Sequence, residues 1–399
     1  MARKKRDTEP EIADLPAPAE RRPNARVFAD IAASTKSFRP ARETLRRVRA
    51  VPTIFPYVDL KTRVGGWPID RVGLVHGPSN HGKTIFCHGL GLSFLRRHHM
   101  YCLVDAEMTT PITWCETLLG SYTDADGFLA SRPSSYEETC DDIRRTAEGL
   151  ADARAKGRVE RDTTALFVID SIRKLVPKNL MARIEKHGAD GKDGSVDGYG
   201  GRAAQLKAAL NAAWLDELVP LMYHTGCAIL FVGRESDDVN ASARDRQFGN
   251  DWKLTGGKAL YFDSSVVCRV SLGGKVTIGD EDSKEVVGER HLVEIHKTKV
   301  AAKQDRVEKA YFHTSNGRRT PEGFDRARDL LRLGTDLDVF KKSGSWIAFD
   351  GRRWQGEVKF CETADPDVLD AIEAACRAKF AEDAAAHADV VGESASGET

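Results

Sequence analysis

From Val51 onward, short and almost unbroken apolar runs rich in β-branched residues alternate with longer stretches of helical period. The clearest runs are 72–76, 100–105, 165–170 and 227–232. A strand that is apolar on both faces belongs in a sheet covered on both sides, and such strands separated by helices form parallel βαβ units. Helices are predicted over 84–97, 136–155 and 201–223, and a further one within 27–50. The pattern therefore predicts an α/β fold, a mostly parallel twisted sheet with helices on both faces. Two polar, glycine-bearing stretches, about 179–201 and 235–257, are too long for ordinary connections and are candidate functional loops. The texture changes near Gly317–Gly323, where a small C-terminal domain over 317–383 is expected to begin after a core spanning 51–316. Residues 1–25 have no periodicity and are expected to be a mobile arm ahead of the N-terminal helix. The segment 384–399, which is Ala, Gly, Ser and acid, is expected to be a disordered tail.

At 399 residues with 41% hydrophobic and 30% charged side chains, the chain has the composition of a globular protein with a sizeable core. No apolar run approaches the ~18 residues of a membrane helix, and no apolar stretch follows the basic start, so no secretory signal is expected and the cytoplasm is the expected compartment. Eight cysteines are scattered without a C-x-x-C pair or a Cys/His cluster, which argues against a zinc site and a disulfide framework. Net charge is zero but unevenly placed: residues 1–50 carry 13 basic and 7 acidic side chains, residues 361–399 carry 2 and 10. That asymmetry fits a polyanion partner and an acidic regulatory tail, and equally two solvated ends.

The strongest chemical signal is Gly77-Pro78-Ser79-Asn80-His81-Gly82-Lys83-Thr84, which fits G-x-x-x-x-G-K-[ST] between an apolar strand and a helix. The glycines let backbone N–H groups wrap the α- and β-phosphates of a nucleotide. Lys83 reaches the β- and γ-phosphates, and the Thr84 hydroxyl is placed for Mg²⁺. The apolar run 165–170 ends in Asp170, the expected second metal-side group of a P-loop NTPase. Val104-Asp105-Ala106-Glu107 ends another strand, and Glu107 there is either the group that orients the water attacking the γ-phosphate or a solvated strand-end acid. Trp114 is either an adenine-stacking platform or a partly exposed core aromatic.

In this order the motifs resemble the RecA family of DNA strand-exchange recombinases, over about residues 50 to 380. The segment Asp59 to Val72 is similar to the family's leader before the P-loop. Asp105-Ala106-Glu107 is similar to its catalytic Asp-Ala-Glu, Asp170-Ser171 to its second Walker position, and Trp114 to its adenine-contacting aromatic. Phe248-Gly249-Asn250 and Thr255-Gly256-Gly257-Lys258 resemble the end of the second DNA loop and the helix after it. Paired glycines at a helix start expose N–H groups to a phosphate, and Lys253 and Lys258 add charge. Lys297-Thr298-Lys299 resembles the lysine pair that reaches the nucleotide of the neighbouring subunit. On a strand these two side chains project the same way, although a solvated Lys-x-Lys has the same spelling. Lys342 to Trp346 and the helix from about Asp365 to Phe380 are similar to the family's C-terminal domain.

The resemblance implies a RecA-like P-loop ATPase core with a short N-terminal helical arm and a small α+β C-terminal domain. It implies ATP and Mg²⁺ as cofactors, single-stranded and double-stranded DNA as partners, and a homo-oligomeric helical filament, with a single-strand-binding protein or loader beside it. It also implies DNA-dependent ATP hydrolysis, homologous pairing and strand exchange. Three features depart from the family pattern. Where the family has a glutamine that senses the γ-phosphate, this chain reads Gly233-Arg234-Glu235, and Arg234 is expected to take over that role with a charge. The first loop is long, so contacts cannot be carried onto it beyond Arg202 at its close. The second loop carries extra residues, among them Arg244 and Arg246, as candidate phosphate contacts. Two rival readings share the core: a RecA-like ring helicase, and a nucleotide-regulated DNA-binding module without strand exchange.

Overall fold

The computed structural model describes residues 25–39, 41–178, 196–237, 252–254, 258–279, 284–302 and 306–394. The chain forms two compact units, Met1–Arg47 and Val48–Thr399. In the first, the single helix expected within 27–50 is instead two, α1 (Ala25–Ser34) and α2 (Ala41–Thr44). Between them the sequence places Pro40, which lacks the N–H a helix needs and disfavours helical backbone in the residue before it. The expected mobile arm lies almost wholly outside the described residues.

The second unit begins with β1 (Ala50–Val51), α3 (Pro56–Thr62), β2 (Trp67–Pro68), β3 (Arg71–His76), α4 (Lys83–Leu95), β4 (Met100–Asp105), α5 (Ile112–Leu119), β5 (Phe128–Ser131) and α6 (Tyr136–Ala155). It continues through β6 (Ala165–Asp170), α7 (Val196–Thr225), β7 (Ala228–Val232), β8 (Glu235–Asp237), β9 (Trp252–Leu254) and α8 (Lys258–Asp263). The strands β10 (Val266–Ile278), β11 (Glu285–Thr298), β12 (Glu308–Ser315) and β13 (Gly323–Phe324) follow. The chain ends in α9 (Arg326–Asp336), β14 (Lys341–Ser343), β15 (Trp346–Phe349), β16 (Arg352–Gln355), α10 (Gly356–Thr363) and α11 (Pro366–Ser394).

Among the described residues nine strands form one sheet in the order β13-β12-β11-β10-β3-β7-β6-β4-β5. From β10 to β5 every pair is parallel; β10 to β13 add an antiparallel edge. The alternation along the strands explains their unbroken apolar spelling. Phe167, Ile169, Ile229 and Phe231 pack on the face covered by α6 and α7, through Ile143, Trp214 and Leu218. Their neighbours Leu166, Val168, Leu230 and Val232 pack on the opposite face with Phe55, Phe86 and Leu90. The helix α4 lies close to the sheet because Gly91 faces it: a Cβ there would stand 2.4 Å from the Tyr101 ring. This close seat fixes where the P-loop, just ahead of α4, can lie.

A third core, with Leu330, Phe340, Trp354, Phe360 and Ile372, belongs to the C-terminal elements and takes in Leu60 of α3. Arg377 of α11 donates to Asp59 at 2.9 Å, and the Tyr57 hydroxyl donates to Asp336 at 2.9 Å. These ties run across the boundary expected at 317, which lies inside the one compact unit. The helix α11 runs to Ser394, beyond the start of the expected disordered tail at 384; the alanines there are the strongest helix formers. No helix among the described residues is long and apolar enough to cross a membrane.

Candidate nucleotide site and the loop base beside it

β3 lies between β10 and β7, with parallel partners on both sides, and its carboxyl end opens into the P-loop. Ligands of open α/β sheets bind at this edge, where the strand order switches. Gly82 ends the loop in left-handed backbone, φ +92°, and a Cβ there would stand 2.4 Å from Nδ1 of His291, so glycine is required on both counts. His291 is buried, stacked on Phe312 at 4.6 Å, and its Nδ1 lies 3.3 Å from the His81 carbonyl. Lys83 opens α4 and folds back over the loop, its Nζ donating to the Gly77 carbonyl at 3.0 Å and the Pro78 carbonyl at 2.5 Å. Burial lowers its pKa, and the charge of Asp170 opposes that shift. Ser79 and Asn80 are exposed at the loop's crest.

The next two strand ends meet in register, Asp105 opposite Asp170. Asp170 accepts the Thr84 hydroxyl at 2.6 Å, so two hard oxygen groups sit one hydrogen bond apart, as a Mg²⁺ site completed by phosphates requires. Burial raises the pKa of Asp170 and the Glu107 charge raises it further, while Thr84 and Lys83 pull it down. A cation at this position favours the ionised form.

Glu107 is held from three sides. Its N–H donates to the Asp170 carbonyl at 3.3 Å, Ser171 Oγ donates to its Oε1 at 2.5 Å, and Arg234 Nη2 donates to its Oε2 at 2.6 Å. Burial alone raises its pKa, but Ser171 and Arg234 outweigh that and hold it below the ordinary range. The turn that presents it hangs on Asp105, which is 3% exposed and accepts the N–H groups of Thr109 and Thr110, each at 3.2 Å, and Nε of Arg132 at 3.1 Å. Sequence reasoning passed over this anchoring role; an acid two residues before a candidate base is its only local signal. Trp114 is half-buried, edge-to-face on His88 at 5.5 Å. With Ile85, Gly288 and Asn316 it walls a cleft of about 360 Å³ beside the start of α4. It is packed on one side, as a partly exposed core aromatic is, and borders the cleft on the other.

The second long loop is framed by β8 and β9, which pair antiparallel with Ser236 opposite Lys253. Lys253 is exposed there. Arg244, Arg246, Phe248, Gly256 and Gly257 lie outside the described residues; Arg202 in α7 and Lys258 at the start of α8 are described in backbone alone. Most of the first loop, 179–195, also lies outside them, and 196–201 is the start of α7. Lys297 and Lys299 project the same way and converge on the last carbonyls of α8. Lys297 Nζ donates to Tyr261 at 2.6 Å and Phe262 at 2.7 Å, and Lys299 Nζ to Phe262 at 2.7 Å. Their hydrogen bonds go to α8 and not to the P-loop group. The fold thus gathers Lys83, Thr84, Asp170, Glu107 and Arg234 at one sheet edge, with the lysine pair as a separate cationic group.

The family model described as the RecA N-terminal domain matches residues 38–316. A protein named RecA from Geobacter sulfurreducens is 29% identical over 313 residues, 78% of this chain and 79% of the relative. The RecA proteins of Salinispora tropica and Bordetella pertussis are each 29% identical, the first over 84% of this chain and 83% of its own, the second over 74% and 71%.

Proposed function

The chain belongs to the RecA family, and from that premise we propose that it is an ATP-dependent DNA recombinase, assembling on single-stranded DNA and carrying out homologous pairing and strand exchange. One observation carries the reading: the P-loop pair Lys83 and Thr84, the acid Asp170 and the clamped carboxylate of Glu107 meet at one sheet edge, directly beside the base of the β8–β9 loop. Lys83 leaves its two loop carbonyls to meet the β- and γ-phosphates, and Trp114 offers its open face to the adenine. Thr84 and Asp170 would hold Mg²⁺, which would supply positive charge against the phosphates. Glu107 orients the attacking water and accepts its proton, and Arg234 donates to a γ-phosphate oxygen. Protomers stack head to tail in an open assembly that does not close. Lys297 and Lys299 then serve the nucleotide of the next subunit. The segment before α7 and the one between β8 and β9 grip the DNA backbone, which carries no sequence information, so selectivity for sequence is slight.

The deciding experiment is joint-molecule formation between homologous single-stranded and duplex DNA, with ATP or a non-hydrolysable analogue. Wild type is expected to pair in both, and Lys83→Ala in neither. Pairing by Lys83→Ala, or nucleotide-dependent binding or unwinding by wild type without pairing, overturns the reading.

The lysine pair gives the activity a pH signature. Burial and the nearby charge of Lys299 lower the pKa of Lys297 to about 8, so it is a cation below that pH and neutral above it. Turnover that needs its charge falls as pH rises through about 8. Removing Lys299 takes away one like charge, so in Lys299→Ala the alkaline limb of the ATPase profile is expected at higher pH, whatever happens to the maximum. A limb that stays in place would separate it from Lys297.

A further inference from the structure

Behind Arg234 lies a second cluster that takes no part in the nucleotide constellation. Glu235 is 6% exposed at its side chain, and its carboxylate accepts Arg269 Nε at 2.8 Å and Nη2 at 3.1 Å and meets His76 Nδ1 at 2.8 Å. An ionised carboxylate only accepts, so Nδ1 of this fully buried histidine carries the proton. Trp252 packs on the His76 ring at 4.6 Å, with the Arg269 guanidinium 5.9 Å from its centre. Among the described residues neither Nε2 of His76 nor Nε1 of Trp252 finds a hydrogen-bond partner.

The places these residues hold in the chain give the cluster its meaning. His76 is the last residue before Gly77 of the P-loop, and Arg269 of β10 is its direct cross-strand partner. Glu235 follows Arg234, the two pointing apart, one to Glu107 and one to His76 and Arg269. Trp252 opens β9 on the far side of the loop, opposite Asp237. One buried cluster therefore touches the P-loop strand, the residue after Arg234 and both strands at the base of the DNA loop. Buried charged groups seldom stabilise a fold better than apolar groups of like volume, and the two-armed contact of Arg269 with Glu235 admits one geometry.

We infer that Glu235, Arg269 and Trp252 are positioning residues: they lock the β8–β9 base to the P-loop strand, so that nucleotide binding sets both Arg234 and the affinity for single-stranded DNA. The inference rests on the ATP-dependent recombinase proposed above and adds that nucleotide sets the DNA affinity. A shift at Gly77 moves His76; its carboxylate partner carries Arg234 and β8 with it, and Trp252 carries β9.

The test is the affinity of the full chain for a labelled oligothymidine, by fluorescence anisotropy, without nucleotide and with a slowly hydrolysed ATP analogue. The ratio of the two affinities is the readout. In Glu235→Gln the ratio is expected to fall about tenfold or more, with nucleotide affinity and nucleotide-free DNA affinity each within about threefold of wild type. Arg269→Lys, which keeps a charge but loses the two-armed contact, is expected to keep part of the ratio. A merely structural role would instead lower thermal stability and leave the ratio intact. A nucleotide-dependent wild type with an unchanged ratio in Glu235→Gln overturns the inference; a nucleotide-independent wild type overturns the functional reading first. If Glu235→Gln loses its cooperative unfolding transition, Arg269→Lys carries the same decision.

Discussion

Glu107→Gln is expected to lower DNA-stimulated ATP hydrolysis by about 10²–10⁴-fold, some 3–5 kcal/mol of barrier, while nucleotide affinity changes by no more than a few fold. The substitution is close to isosteric. The glutamine carbonyl still accepts from Ser171, and the backbone N–H still reaches Asp170, so the turn anchored on Asp105 stays in place. What disappears is the ability to take a proton, together with the ion pair to Arg234, whose guanidinium then faces the amide NH₂. The alternative for a strand-end acid is solvation, and two facts oppose it: the side chain is 17% exposed, and both carboxylate oxygens already have charged or hydroxyl donors. Those donors hold the group's pKa below that of an ordinary glutamate. Activity that depends on the ionised form therefore falls only as pH drops through a value below the ordinary glutamate range. Phosphate release at saturating single-stranded DNA measures the loss, and a rate within about twofold of wild type would remove Glu107 from the base role. On the function proposed above, pairing of homologous DNA survives, because that reading requires bound nucleotide rather than its cleavage.

Much of this site is written locally. The P-loop, Asp170 and Glu107 each sit at the end of an apolar strand, and burial on both faces leaves such a strand one spelling. The bounds of α6 were equally legible, since Ser135 caps it by accepting the Glu138 N–H and Glu138 returns to the Ser134 N–H. What escaped was set by residues far apart in the chain. His76, Glu235, Arg269 and Trp252 meet only after β3, β8, β9 and β10 are brought together, and no spacing in the sequence announces that. Lys297 and Lys299 were legible as a pair but not as donors to the end of α8, because that contact requires the register of β10 on β11. The boundary expected at 317 followed a change of texture; the C-terminal elements have their own core cluster, and Leu60 in it and the Asp59–Arg377 pair cross that boundary. Texture reports local composition; compactness depends on pairs.

Arg234→Ala sets two effects against each other, and their sizes decide the outcome. Losing the ion pair frees Glu107 and lets its pKa rise toward the ordinary value, which makes it a better base; a gain of that kind is worth about tenfold at most per pKa unit. Against this stands the loss of the guanidinium that we propose donates to a γ-phosphate oxygen. Arginines that stabilise the transition state of phosphoryl transfer contribute about 10³–10⁵-fold. DNA-stimulated hydrolysis in Arg234→Ala is therefore expected to fall by about 10²-fold or more, with nucleotide affinity much less affected. Arg234→Gln, which restores a neutral donor at this position, should lie between alanine and wild type. Arg234→Lys keeps the charge as a point donor without the planar fork and should not recover the full rate. Initial rates for the four proteins at saturating ATP and DNA give the answer directly. A rate in Arg234→Ala equal to or above wild type would show that the Arg234–Glu107 ion pair restrains the base rather than prepares the site, and would assign γ-phosphate sensing to another donor.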